Sequence, residues 1–166
     1  MIEMDDIDRR IVSTLQADGR LAMVDLADRV GLSPTPCQRR VKRLEDEGVI
    51  VRYAALVSPP ALGFELQAMV QVTLDDHSEK TVEAFEAAIR ARPEVVACYA
   101  MTGDMDFLLH VQASDLASFS DFAMKALLRM PGVRGTRSSF IMQDVKSELA
   151  WAPRPPKPTP AARRRP

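Results

Sequence analysis

Gly31-Leu32-Ser33-Pro34-Thr35-Pro36-Cys37-Gln38-Arg39-Arg40-Val41-Lys42-Arg43-Leu44-Glu45 is the stretch that decides how the N-terminal third folds. Gly31 stands where a helix needs a left-handed cap. Ser33 is a good N-cap for the next helix, and Pro34 sits in its first turn, where a missing N–H costs nothing. Cys37, Val41 and Leu44 then recur at spacings of four and three, which gives one apolar line. Thr35, Gln38, Arg39, Lys42, Arg43 and Asp46 fall outward, with Arg40 more lateral. Upstream, Met23–Val30 offers Leu26, Ala27 and Val30 as an inner face. Before it, residues 5–18 repeat Ile7, Ile11 and Leu15, with acidic residues in the first turn where the helix dipole favours them. Two helices joined by a short Gly-containing turn, the second Ser-capped and carrying Gln and Arg, form the pattern of a helix-turn-helix, here at about residues 23–42. Residues 49–56 are β-rich and include Arg52 and Tyr53, which suits an added strand or small wing. Ser58-Pro59-Pro60 interrupts regular structure, and the domain boundary is expected near residues 58–64.

Composition narrows the classes. The chain has 166 residues, with 22 Lys and Arg against 23 Asp and Glu, a formal net charge of −1. A near-neutral sum does not advertise nucleic acid, but recognition depends on local clusters. Residues 1–60 are nearly balanced, residues 61–150 are acidic, and residues 151–166 hold five basic side chains and no acidic one. No apolar run approaches the ~20 residues a membrane span needs, and the acidic opening is unlike a signal peptide, so a cytoplasmic protein is expected. Cys37 and Cys98 lie far apart without a Cys-x-x-Cys pattern, so no disulfide framework, metal or cofactor is expected, and both cysteines read as small buried apolar residues. His77 and His110 have no nucleophile motif beside them, which argues against an enzyme. His77 reads as solvated in its acidic loop.

The rest of the chain alternates strand and helix signals. Leu66–Leu74 reads as a strand, and residues 78–91 as a helix with Val82, Phe85, Ala88 and Ile89 inward. Residues 95–101 and 107–112 read as strands around a turn at 102–105. Residues 116–130 read as a helix and 133–145 as a last strand, after the turn Pro131-Gly132. The order βαββαβ fits a ferredoxin-like half sandwich, with both helices on one face of an antiparallel sheet. The uncovered face is expected to draw on Val70, Val72, Val96, Leu109 and Ile141, and to drive self-association. The Pro-rich basic tail at 152–166 is expected to be disordered. The fold class is therefore α+β, with domains at 4–65 and 66–149.

The string Gly31–Cys37, followed by Arg40-Val41-Lys42-Arg43-Leu44-Glu45 and Gly48-Val49-Ile50, resembles the signature of the Lrp/AsnC "feast or famine" transcriptional regulators. The resemblance continues in Asp5-x-Ile7-Asp8-x-x-Ile11, Tyr53, Thr102-Gly103-Asp104-Met105-Asp106-Phe107-Leu108-Leu109, Leu128-x-Met130-Pro131-Gly132-Val133 and Thr136-Arg137, covering roughly residues 4–149. It implies a winged helix-turn-helix joined to a RAM-type βαββαβ domain that dimerises, assembles further into tetramers or octamers, and binds small effectors, usually amino acids. Double-stranded DNA and an amino-acid effector are then the expected partners.

On the DNA side, Ser33 opens the reading helix, and Thr35, Gln38 and Arg39 lie near its start, where base edges are usually reached. Arg40, Lys42, Arg43 and Arg52 are expected phosphate contacts. The bland alternatives are an ion pair with Glu47 for Arg43 and a plain surface charge for Arg40. On the effector side, the loop at 101–106 is expected to matter most. Met101 and Gly103 shape it, and Asp104 and Asp106 offer carboxylates to an α-ammonium; the alternative is a capped turn between strands. By resemblance, ligands sit between subunits, and the matching positions are Ala100, Asp106, Leu116, Ser139, Phe140 and Ile141. At 139 and 140 the leucine-responsive pattern has a larger aromatic and then a smaller aliphatic residue, so the resemblance does not extend to leucine as the ligand. A ligand-independent architectural DNA binder is the alternative function.

Overall fold

The structure, a computed structural model, describes residues 3–146. The described residues fall into two compact units, one up to Ala55 and one from Leu56. The basic tail at 152–166 lies outside the described residues.

The first unit is built from three helices, α1 (Asp6–Ala17), α2 (Met23–Val30) and α3 (Pro34–Asp46). Asp5 caps α1 through a capping box: its side chain accepts from the Asp8 N–H, and the Asp8 carboxylate accepts from the Asp5 N–H. Gly31 ends α2 with φ +72°, the left-handed conformation that glycine adopts without a Cβ clash. Ser33 holds the N-cap position of α3, but its side chain makes no capping hydrogen bond. Ile11, Leu26, Ala27, Val30, Cys37, Val41 and Leu44 close the core.

The wing expected at residues 49–56 is not a strand. Val49 and Ile50 both donate their N–H to the Leu44 carbonyl, closing the end of α3, and residues 51–57 run on exposed without ladder hydrogen bonds. The β-favouring side chains are there, yet among the described residues of this unit no strand supplies the donors and acceptors that a ladder needs.

In the second unit the strands β1 (Leu66–Leu74), β2 (Val95–Ala100), β3 (Phe107–Ala113) and β4 (Val133–Phe140) form one antiparallel sheet in the order β2-β3-β1-β4. The helices α4 (Glu79–Arg90) and α5 (Leu116–Asp121) complete the expected βαββαβ order. The expected helix at 116–130 is broken: after α5 come a π-helical turn at Phe122–Ala126 and a 3₁₀ turn at Leu127–Arg129. The last strand stops at Phe140, well short of 145, because Phe140 pairs with Ala68 and Ile141 donates to the Gln67 carbonyl, which brings it to the start of β1.

The expected apolar open face is corrected by the structure. Val70, Val72 and Leu109 are fully buried, in one core with Phe85, Ile89, Phe119 and Leu127 from the helical side. The opposite parity of β1 and β3, with Gln67, Met69, Gln71, Thr73, Leu108, His110 and Gln112, is half-buried and mixed in polarity. His110 Nε2 bonds Gln67 Oε1 across it at 2.9 Å. Alternation separates two faces, and the more apolar one is the face that the helices cover. Val96 lies exposed on the edge strand, and Ile141 is half-buried beyond β4. Cys98, expected to be buried, is exposed on that same edge strand, whereas Cys37 is buried.

Candidate functional site

Helical geometry sorts the side chains of α3 before any contact is considered. At about 100° per residue, Cys37, Val41 and Leu44 cluster on one arc, and Thr35, Arg39, Lys42 and Asp46 lie opposite them. Gln38 and Glu45 take one flank, Arg40 and Arg43 the other. The contacts follow this division. Thr35, Gln38, Arg39 and Lys42 are exposed, and Gln38 and Arg39 make no side-chain hydrogen bond or ion pair among the described residues. Lys42 only approaches Asp46, at 3.9 Å on the surface. Arg52 is exposed on the segment after α3.

The Gln38 flank carries a second anchor. The Tyr53 hydroxyl donates to Glu45 at 2.9 Å, which ties the segment after α3 back onto the helix. Burial, then the Glu45 carboxylate, pushes the Tyr53 phenol up to about 12.

The other flank faces α1. Arg40 Nη1 donates to Asp5 at 2.6 Å and to Asp8 at 2.8 Å, and Arg43 Nη2 pairs with the other oxygen of Asp8. Glu47, the alternative partner weighed for Arg43, is only at 4.0 Å. Asp8 is 1% exposed and is the buried charged side chain of the described residues. Its carboxylate meets two guanidinium groups and the Asp5 N–H, so its desolvation is offset by charge-assisted hydrogen bonds. The Asp5 and Asp8 hydrogen bonds raise the Arg40 pKa above its ordinary value. Arg40 and Arg43, both expected to meet phosphate, thus hold a carboxylate inside their own unit.

In the second unit the loop between β2 and β3 is organised by Asp106. One carboxylate oxygen accepts the Leu74 N–H at 2.7 Å, and the other lies 2.7 Å from His77 Nε2. The Asp106 N–H donates to the Val72 carbonyl, and its own carbonyl accepts from Met101. The Leu74 hydrogen bond, then His77, holds the Asp106 carboxyl below the usual carboxylate range. His77, expected to be solvated, is exposed but engaged. Gly103 (φ +110°) and Asp104 are exposed at the tip of the loop.

The expected effector residues do not meet within one chain. Ala100, Met101, Gly103, Asp104 and Asp106 lie at the end of the sheet where Phe107 pairs with Val72. Leu116, Ser139, Phe140 and Ile141 lie at the other end, where Ala113 pairs with Leu66 and Phe140 with Ala68. Along β1, Val72 is four residues from Ala68, about 13 Å at strand rise, and six from Leu66, about 20 Å. Ser139 and Phe140 also point to opposite faces: Ser139 pairs with Met69 on the open side, while the Phe140 ring packs edge-on against Phe119 at 5.1 Å. Ala100 helps to line a hollow of about 340 Å³ between α4 and the edge strand β2, with Ile89, Val95, Cys98 and Phe107.

Asp8 and His77 are the residues that sequence reasoning missed. On the sequence Asp5 and Asp8 read as dipole-favoured first-turn acids, and nothing local shows that a helix 32 to 35 residues away aims two arginines at one of them.

Comparison with known proteins completes the picture. Residues 4–51 match the family model described as winged helix-turn-helix DNA-binding, and residues 67–151 match the Lrp/AsnC ligand binding domain. A leucine-responsive regulatory protein from Salmonella typhimurium is 42% identical over 144 residues, covering 87% of this chain and 88% of the relative. The crystal structure of a Neisseria meningitidis transcriptional regulator in complex with L-methionine superposes with a TM-score of 0.86 at 40% identity, over 90% of this chain and 96% of that one. A feast or famine regulatory protein from M. tuberculosis, complexed with L-methionine, superposes at 0.80 with 34% identity, over 91% and 100%. With both domains matched in order and the fold shared along nearly its whole length, the chain belongs to the Lrp/AsnC family and is an Lrp-type transcriptional regulator, a helix-turn-helix DNA-binding domain followed by a ligand-binding domain.

Proposed function

We propose that this regulator reads operator bases through Thr35, Gln38 and Arg39, anchors on phosphates through Lys42 and Arg52 with the Ser33 hydroxyl at the helix start, and responds to an amino acid or related small metabolite. The observation that carries the DNA side is the pairing of Gln38 and Arg39 near the start of α3, two exposed side chains with donors unspent among the described residues. Gln suits adenine and Arg suits guanine, each as a bidentate pair.

The effector is taken between subunits. Met101, Gly103, Asp104 and Asp106 come from one end of a sheet, Leu116, Ser139, Phe140 and Ile141 from the other, and a second copy brings the two ends together. What supports this is the separation of the two groups within one chain, together with L-methionine in complex with two similar regulators. The chain works as a homodimer or a larger assembly of dimers. Exposed Val51, Leu56 and Val57, and the half-buried open sheet face, supply surface for it. A ligand that prefers one assembly shifts the equilibrium by its differential affinity.

The test combines a pool of random duplexes, from which the full-length protein selects its operator, with a panel of the amino acids. Sequence preference should emerge from the selection, and at least one amino acid should change operator affinity or sedimentation. A protein that selects sequences but responds to no member in either measurement would be the ligand-independent architectural binder instead.

A further inference from the structure

We infer that Asp8 is a positioning residue for the DNA-reading helix, holding Arg40 and Arg43 on the α1 side and so keeping two cations off the phosphate backbone. The inference rests on the DNA-reading role proposed for α3 and assigns the two arginines of that helix a different task.

Three observations carry it. The Asp8 side chain is 1% exposed, yet it is ionisable and accepts from both guanidinium groups. The two arginines come from one flank of α3, three residues apart, so that they grip Asp8 from the same helical face. Asp8 itself is fixed from behind, because the Asp5 N–H donates to it and Asp5 also accepts from Arg40. A helix held at two positions three residues apart cannot roll about its axis without breaking one of the pairs. Roll decides which side chains of α3 face a groove, so the clamp sets Thr35, Gln38, Arg39 and Lys42 outward together.

The same clamp has an electrostatic consequence. For Arg40 or Arg43 to turn its whole fork to a phosphate it would have to leave a carboxylate with no water to replace it, which a buried charge resists, and while it stays its charge is largely spent on Asp8. On α3 and the segment after it, the cations that remain for the backbone are then Lys42 and Arg52, with Arg39 reserved for a base. Sequence-independent affinity scales with the number of phosphates neutralised, so Asp8 lowers non-specific binding and favours discrimination.

The test is the salt dependence of binding to a labelled duplex of random sequence, measured by fluorescence anisotropy on the full chain over a range of KCl. Each phosphate contact contributes about 0.9 to the slope of log K against log salt. Lys42→Met should flatten the slope by about that amount. Arg40→Met and Arg43→Met should leave it unchanged. Asp8→Asn keeps the size of the side chain but puts an amide where one guanidinium is held, and should steepen the slope by roughly 0.9 for each arginine released. A flatter slope in either arginine variant overturns the inference, as does an unchanged slope in an Asp8→Asn protein with native circular dichroism. If Asp8→Asn does not fold, the two arginine variants decide. Failure of the underlying reading is distinguishable, because Lys42→Met would then leave the slope unchanged as well, and the inference would fall with it.

Discussion

Replacing Asp106 by Ala removes two interactions of unequal worth. The Leu74 N–H needs Asp106 because the pairing of β1 with β3 has already ended at Val72, and the register against β4 shifts between Thr73 and Leu74. Leu74 is 2% exposed, so its N–H would lose a charge-assisted acceptor with little water to replace it. A hydrogen bond of this kind is worth about 1.5–3 kcal/mol. The contact with His77, itself 71% exposed, adds about 0–1 kcal/mol. The expected loss is therefore about 2 kcal/mol, which corresponds to roughly 30-fold faster exchange of the Leu74 amide when opening is local. Because the Asp106 carboxyl is held below its reference value of 3.8, its contribution is fully present above that value and is lost as pH falls through the folded-state pKa. Amide hydrogen exchange at neutral pH reads the first effect, and urea unfolding of wild type and variant at neutral and acidic pH reads the second. Unchanged protection of Leu74, or a stability difference that persists undiminished in acid, would refute the assignment of Asp106 as the tie between this loop and β1.

Two further outcomes follow from the same geometry. Arg39→Ala should relax preference at one operator position at a cost of about 1–3 kcal/mol, read by competition between duplexes differing at single positions; equal weakening on every duplex would place Arg39 on phosphate. Gly132 has φ +72°, and a Cβ there would lie 2.2 Å from the Thr81 side chain, whereas Gly63 has φ +83° with open space around it. Gly63→Ala should cost about 1 kcal/mol from backbone strain alone, and Gly132→Ala should lower the melting temperature markedly more; equal shifts in a thermal melt would show that the Thr81 contact relaxes freely.

How much of this was legible in the sequence depends on the range of the interaction. Cys37, Val41 and Leu44, Gly31, and the turn at Pro131-Gly132 act within a few residues of themselves, and α2 falls where its apolar spacing and glycine stop place it. The βαββαβ order is read the same way, from periodicity and turns. The last strand was misjudged because its end is set by where β1 begins, far away in the chain. The helix after Asp115 was read as continuous because a π-helical turn has no sequence signal as plain as proline. Val70, Val72 and Leu109 were assigned to the wrong face because alternation fixes parity without saying which side the helices will cover.

Sequence by itself determined the kind of protein this is: a Ser- and Pro-initiated reading helix after a glycine turn, a ferredoxin-like second domain, and the islands of wording that place it among the Lrp/AsnC regulators. Each is written in local spacing or in an uninterrupted string, so no folding is needed to see it. Only the tertiary structure decided how the charges of the reading helix are divided. Arg40, Lys42 and Arg43 share one expectation on paper, phosphate contact, and they part company because α1 packs along one flank of α3 and buries Asp8 there. Which cation is spent within the protein and which remains for DNA depends on the desolvated partner it meets, and that partner lies 32 and 35 residues away.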